Sequence, residues 1–222
     1  MLNIAIDGPS GAGKSTIAKE LARRMNIVYL DTGAMYRAIG LKAVRCGIDP
    51  NDRENVLPLL TNTALNIEYE NGVQKVILDG EDVSLAIREH RISKAASDIS
   101  KIPEVREFLV KMQREIASKS NVVLDGRDIT SYVLKDTKYK FYLTASVDVR
   151  AKRRFDELIA KGQDVQLDTI KADIIDRDYN DMHRDCCPLM ITEDAFVIDS
   201  SDMTPDEVLD CFISRINDIK EA

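Results

Sequence analysis

Histidine is scarce in this 222-residue chain: only His90 and His183 occur, and neither lies in a nucleophile–base arrangement. Ser-His-Asp or Cys-His covalent chemistry is therefore not expected, and both histidines are expected at the surface. The four cysteines, Cys46, Cys186, Cys187 and Cys211, form no C-x-x-C pair. Adjacent Cys186-Cys187 lacks the spacing of a structural zinc site, so reduced, partly buried thiols are expected. Basic residues are outnumbered, and the formal net charge of −7 speaks against a broad basic surface for nucleic acid or anionic lipid. Any anionic ligand must then be met by local arginine clusters. No apolar run approaches membrane-spanning length, and a strand begins almost at once without a basic and apolar leader, so a cytoplasmic protein is expected. Nor is there an Asn-Lys-x-Asp guanine-reading motif.

What is present begins at Asn3. Ile4-Ala5-Ile6 leads through Asp7 into Gly8-Pro9-Ser10-Gly11-Ala12-Gly13-Lys14-Ser15, which satisfies G-x-x-x-x-G-K-[ST] at every fixed position. Its glycines let the backbone turn tightly and bring successive N–H groups onto phosphates. Lys14 supplies a point charge to the β- and γ-phosphates, and the Ser15 hydroxyl is the candidate Mg²⁺ ligand. A helix continuing through Thr16, with Ile17, Leu21 and Met25 recurring every four residues, turns its positive end toward the anion.

Further along, Ile27 to Leu30 reads as a strand ending at Asp31-Thr32-Gly33, and Met35 to Cys46 as a helix closed by Gly47, with Tyr36 and Arg37 in its first turn. Strand end followed by helix start is where open α/β sheets place ligands, so Arg37 is a candidate anion contact, with an ordinary solvated arginine as the alternative. Leu65 to Val83 alternates about an Asn71-Gly72 turn, which implies a small antiparallel insert, either decoration or a substrate flap. Ser93 to Ser100 looks helical. Pro103 opens a longer helix with Val105, Phe108, Leu109, Met112 and Ile116 on one face and Arg106 off it. Asn121 begins a strand ending in Asp125-Gly126-Arg127-Asp128, a pattern similar to the second P-loop signature, whose carboxylate orients Mg²⁺.

A strand over Tyr139 to Leu143, a helix from Ser146 to Lys161-Gly162 and a helix over roughly 169–185 follow. On the last, Arg177, Asp181 and Arg184 share a face. They form either an exposed salt-bridged stripe or, with Arg153 and Arg154, a mobile arginine-bearing lid. The strand Ala195 to Ile198 precedes a helix capped by Thr204, with Pro205 first and Val208, Leu209, Phe212 and Ile216 inward. Five apolar strands alternating with helices specify one α/β domain, a five-stranded parallel sheet with helices on both faces.

Several motifs together resemble the bacterial cytidylate kinases, P-loop nucleoside-monophosphate kinases that move the ATP γ-phosphoryl to CMP or dCMP. They are the phosphate loop, Leu30-Asp31-Thr32-Gly33-Ala34-Met35-Tyr36-Arg37, Ala95-Ala96-Ser97, Val105-Arg106-Glu107, Asp125-Gly126-Arg127-Asp128, the stripe through Arg184, and Pro188-Leu189. The resemblance spans essentially the whole chain and implies a P-loop NTPase fold with a core of 1–63, 101–150 and 190–222, an NMP-binding insert of about 64–100 and a helical lid of about 151–189. It implies that Arg37, Arg127 and Arg184 hold the acceptor phosphate and that Ser97, Arg106 and Asp128 read cytosine. Arg177 and Asp181 would lie near the sugar and the transferring phosphate, and Tyr36 and Thr32 would line the nucleotide pocket. Residues Gly8 to Thr16 with Arg153 would hold ATP, and Lys14, Arg127, Asp128, Arg177 and Arg184 would form the catalytic set. Thr32 stands where many members have Ser, and Asn180 replaces an arginine or other polar residue often found in the lid stripe. Expected partners are CMP, dCMP, ATP and Mg²⁺, with no nucleic acid, no membrane and a monomeric chain.

The residue inventory suits that chemistry, because phosphoryl transfer needs positioning and charge neutralisation more than a strong nucleophile. Arginines on separate segments imply closure around the nucleotides. Alternatives are a kinase for another small acceptor (UMP, AMP or shikimate), a GTP-dependent switch, or an ATP-binding module without an acceptor reaction.

Overall fold

The computed structural model describes residues 1–221. In chain order they form β1 (Asn3–Asp7), α1 (Lys14–Met25), β2 (Val28–Asp31), α2 (Thr32–Arg45), α3 (Arg53–Thr61), β3 (Leu65–Glu70), β4 (Val73–Leu78) and β5 (Glu81–Asp82). Then come α4 (His90–Ile99), α5 (Pro103–Lys119), β6 (Val122–Gly126), β7 (Tyr139–Thr144), α6 (Val147–Ala160), α7 (Leu167–His183), β8 (Phe196–Asp199) and α8 (Pro205–Glu221). The expected five-stranded parallel sheet has the order β2-β6-β1-β7-β8, and a smaller sheet has the order β3-β4-β5. The chain divides into two compact units, residues 28–120 with Met1, and residues 2–27 with the chain from 121 onward.

In the unit containing the N-terminal strand, β1 pairs in parallel with β6 and with β7, and β7 pairs in parallel with β8. Every residue of β6 is buried, as are Ile4 to Asp7 of β1 and Lys140 to Leu143 of β7. Burial on both pleat faces is why these strands read as continuous apolar runs. Phe141 stacks on Phe212 of α8 at 4.4 Å between ring centroids and meets Phe196 edge-on at 6.3 Å. Helix α8 starts as expected: the Glu207 N–H donates to Thr204 Oγ1 (3.3 Å), while Glu207 Oε2 accepts from the Thr204 N–H (2.8 Å), a capping box. Helices α6 and α7 carry their own small apolar cluster of Ala151, Leu158, Ile170 and Ile174, flanked by Val147, Phe155 and Val165. Helix α7 ends at His183, so Arg184, expected on that helix, lies just beyond it with extended backbone.

The other unit is built on α2. This helix begins at Thr32, three residues before the expected Met35, because the Asp31 carboxylate accepts the Ala34 N–H (2.8 Å) and caps it. Tyr36 and Arg37 therefore stand in its second turn. Helix α4 packs across Gly40 of α2, where an added Cβ would lie 3.1 Å from the Ala95 and Ala96 backbone. The expected hairpin is β3 and β4, joined through Asn71 and Gly72, both in the left-handed region. Helix α3 has no counterpart among the sequence-based expectations, since Pro58 interrupts its pattern and removes a helix donor. The inward face of α5 comprises Val105, Arg106, Leu109, Val110, Gln113 and Ala117, with Phe108, Met112 and Ile116 only half-buried. Arg106, expected off the stripe, thus lies on the buried face.

Gly8, the first residue of the phosphate loop, has φ +148°, and a Cβ there would sit 2.0 Å from the carbonyl oxygen of Leu143 in β7. Neither backbone can yield cheaply. Positive-φ strain and overpacking each cost about 1–3 kcal/mol, so Gly8→Ala should lower Tm by on the order of 10 °C. A thermal melt matching wild type would show that the loop relaxes instead.

Candidate active site

The phosphate loop runs from β1 into the N-terminus of α1, with Gly8, Gly11 and Gly13 all at positive φ. Lys14 is the first residue of α1 and is buried, its Nζ donating to Pro9 O of its own loop (2.7 Å). Burial, reinforced by the charges of Arg127 and Arg177, holds its pKa well below the ordinary lysine value. A binding phosphate would reverse that balance. Ser15 Oγ donates to Asp125 Oδ2 (2.9 Å), and the register of β1 with β6, Ile6 opposite Asp125, brings the carboxylate there. A hydroxyl touching a carboxylate beside a phosphate loop is a donor set that suits Mg²⁺, which takes one or two protein oxygens and completes its shell with water and phosphate. Among the described residues no group of three or more His, Cys, Asp or Glu side chains forms a protein-only metal cage.

Three arginines converge on Asp181. Arg127 Nε donates to Asp181 Oδ2 (2.7 Å), Arg177 approaches the same oxygen at 3.9 Å, and Arg184 reaches Oδ1 at 4.0 Å and Asp128 Oδ1 at 3.8 Å. Burial pushes the Asp181 carboxyl up, but Arg127 foremost, then Arg177 and Arg184, outweigh it and hold the group below the usual carboxylate range. The side chains of Arg184 and Asp181 are only 5% and 6% exposed, so this is a buried cluster and not a solvated stripe. Three guanidiniums share two carboxylates, an arrangement with room for one more anion.

Asp7, at the end of β1, accepts from the Ile129 N–H (2.9 Å), the Thr130 N–H (2.7 Å) and Thr130 Oγ1 (2.7 Å). Burial raises its pKa to about 6 against the pull of these donors.

In the α2 unit, Arg37 Nη2 pairs with Asp31 Oδ2 at 2.8 Å. Burial opposes ionisation of Asp31, yet the Arg37 charge and the Ala34 N–H keep its carboxyl below the usual range. Arg106 is 1% exposed, donates to Ser100 O (3.2 Å) and lies 5.5 Å from the centroid of the Tyr36 ring, a cation–π contact. Thr32 is buried at the first position of α2, and Ser97, half-buried on α4, accepts from Ser100 Oγ through its carbonyl.

The family model for cytidylate kinase matches residues 4–218. The chain belongs to the cytidylate kinase family. Proteins named cytidylate kinase from Caldicellulosiruptor saccharolyticus and Clostridioides difficile are 52% identical over 208 residues and 44% identical over 216. The first alignment covers 94% of this chain and 92% of that protein, the second 97% and 98%. A solved chain from Eubacterium ventriosum, described as an uncharacterized protein, shares the fold at TM-score 0.55 and 15% identity, covering 98% of this chain and 99% of that one. None of the helices among the described residues is long and apolar enough to cross a membrane.

For a cytidylate kinase family member, whose co-substrate is ATP, two site neighbours were not foreseen. Arg150 of α6, buried, donates to Ser10 O of the phosphate loop (2.9 Å) and to Asp178 Oδ2 of α7 (2.6 Å), while Asp178 Oδ1 accepts the Ser10 N–H (3.4 Å). The available signal was position: Arg150 shares the inward face of α6 with Ala151 and Leu158, and Asp178 stands one turn before Asp181. Arg153 is not brought to the loop, because its guanidinium holds Ser200 through Oγ (3.1 Å) and O (2.7 Å), and Arg154 pairs with Glu157. His183 is exposed, as expected, and the side chain of His90 lies outside the described residues.

The lowered pKa of Lys14 means that it loses its proton earlier as pH rises, and with it any charge it offers a phosphate. The alkaline limb of kcat/KM for ATP should therefore fall below pH 10.5, the ordinary lysine value, and Lys14→Arg should remove that limb even at lower overall activity. An identical limb in K14R would assign it to another group.

Proposed function

We propose that this chain phosphorylates CMP and dCMP from ATP by direct in-line transfer, and that the buried arginine cluster beside the phosphate loop carries the chemistry. The supporting observation is the surplus of guanidinium charge around Asp181 next to Lys14. Residues Gly8 to Thr16 would cradle the ATP phosphates with their N–H groups, and Lys14 would follow the charge as it moves off the γ-phosphoryl. Ser15, whose hydroxyl is held by Asp125, would hold Mg²⁺, which would supply positive charge to neutralise the charge developing on the phosphates. Arg37, Arg127 and Arg184 would bind the acceptor phosphate, with Arg177 and Asp181 at the sugar and transferring group. Tyr36 and Thr32 would line the nucleotide pocket. Arg153 would reach ATP only after leaving Ser200.

Ser97, Arg106 and Asp128 would read cytosine. The segment of about 64–100 would act as the NMP-binding insert and that of about 151–189 as the lid, within a cytoplasmic monomer that binds neither nucleic acid nor membrane. Excluding water under a lid favours transfer to the nucleotide over hydrolysis.

A coupled ADP-release assay across CMP, dCMP, UMP, AMP and shikimate tests the assignment: release should depend on Mg²⁺ and on CMP or dCMP. ADP release indifferent to both would sink it.

Base choice can be tested separately. Cytosine offers an amino donor at N4 beside acceptors at N3 and O2, matching a carboxylate and a guanidinium, whereas uracil reverses two of the three. At about 1–3 kcal/mol per mismatch, CMP should be preferred over UMP at least tenfold, and Asp128→Ala should shrink that ratio. An unchanged ratio on D128A would assign Asp128 to Arg184, 3.8 Å away, and to phosphate binding.

A further inference from the structure

Cys186 and Cys187 follow α7 in a short return held at two points. The Leu189 N–H donates to Asp181 O (2.8 Å), and Arg184 donates through both Nε (2.7 Å) and Nη2 (2.5 Å) to the carbonyl of Cys187. Cys187 holds that carbonyl in place with φ at +50°, a left-handed conformation that side-chain-bearing residues rarely adopt. The two Sγ atoms lie 3.5 Å apart, and both residues are half-buried thiols within reach of small solutes.

We propose that Cys186-Cys187 is a redox modification site, a reversible vicinal disulfide that withdraws the Cys187 carbonyl from Arg184. With hydrogen peroxide as oxidant, one thiolate attacks a peroxide oxygen, giving a sulfenic acid and releasing hydroxide. The second thiolate then attacks that sulfur, the S–S bond forms, and the oxygen departs as hydroxide; the two protons given up by the thiols convert both hydroxides to water. Overall two thiols and one peroxide give one disulfide and two waters, the two sulfurs supplying the electron pair.

Closure makes an eight-membered ring that includes the Cys187 N–Cα bond, so drawing the Sγ atoms from 3.5 Å to bonding distance places φ of Cys187 under the ring's control, and its carbonyl turns with that bond. Adjacent Cα atoms stand about 3.8 Å apart, shorter than the roughly 4.4–6.8 Å usual for a disulfide, so the bond is strained and readily reduced, as a switch requires and a staple does not. Freed from its acceptor, Arg184 swings within the cluster. The consequence for activity rests on the reading of Arg184 as an acceptor-phosphate contact.

The test treats wild type and Cys186→Ser with hydrogen peroxide, blocks residual thiols, and reads the mass of the 185–193 fragment released by trypsin and glutamyl endopeptidase, together with KM for CMP and for ATP. Wild type should lose two hydrogen masses in that fragment and show CMP KM raised roughly tenfold with ATP KM unchanged. Dithiothreitol should reverse both changes, and C186S should show neither. No mass loss in the fragment, or an equal KM rise in C186S, overturns the site. Reduced Arg184→Ala separates the two readings: normal CMP binding there refutes the role of Arg184 while the disulfide stands or falls on mass. A disulfide that leaves CMP KM unmoved although R184A is impaired overturns the coupling.

Discussion

The Asp7 carboxylate, buried at the end of β1, ties the phosphate loop to everything around it. Its three donors all come from Ile129 and Thr130, in the turn that follows β6, so the loop after β1 and the Asp125-Gly126-Arg127-Asp128 run cannot separate without breaking them. An unsatisfied buried carboxylate would cost far more than three good hydrogen bonds return, which makes the arrangement close to all-or-none. On the other side, the approach of Gly8 to Leu143 O fixes the loop against β7. Clamped from both neighbouring strands, the loop can present N–H groups to a phosphate without first paying to order itself.

Charge is distributed around that clamp with a purpose that burial makes visible. Burial disfavours the charged form of Asp181, yet Arg127, Arg177 and Arg184 outweigh it and hold its carboxyl below the usual range. Lys14 feels the reverse, losing basicity to burial and to Arg127 and Arg177. The unliganded site is thus a set of cations held together by carboxylates, and a bound phosphate would favour the charged form of Lys14. Preorganised cations of this kind need no rearrangement when charge shifts during transfer. Arg150 and Asp178 extend the same logic outward, joining the phosphate loop to α6 and α7 by polar contacts, while the apolar cluster shared by those two helices is small.

Much of this was determined by the sequence alone: the phosphate loop, the parallel α/β order, the hairpin at Asn71-Gly72 and the capped final helix follow from local spacing, because turn geometry, helix periodicity and two-sided strand burial each leave a short-range imprint, and the family came from the resemblance of several motifs taken together. The tertiary structure decided what local pattern cannot encode. Asp31 started α2 earlier than its apolar period suggests, since a cap is a side-chain hydrogen bond and not a periodicity. Arg106 is buried because the face of Tyr36, seventy residues earlier, and the carbonyl of Ser100, in the turn before α5, receive it. The stripe of Arg177, Asp181 and Arg184 reads equally well as solvated salt bridges until Arg127, more than fifty residues away, closes over Asp181. Arg153 and Arg150 are indistinguishable as letters, and only the packing of α6 sends one to Ser200 and the other to the phosphate loop. Charged side chains are long and their partners non-local, so their roles belong to the folded state.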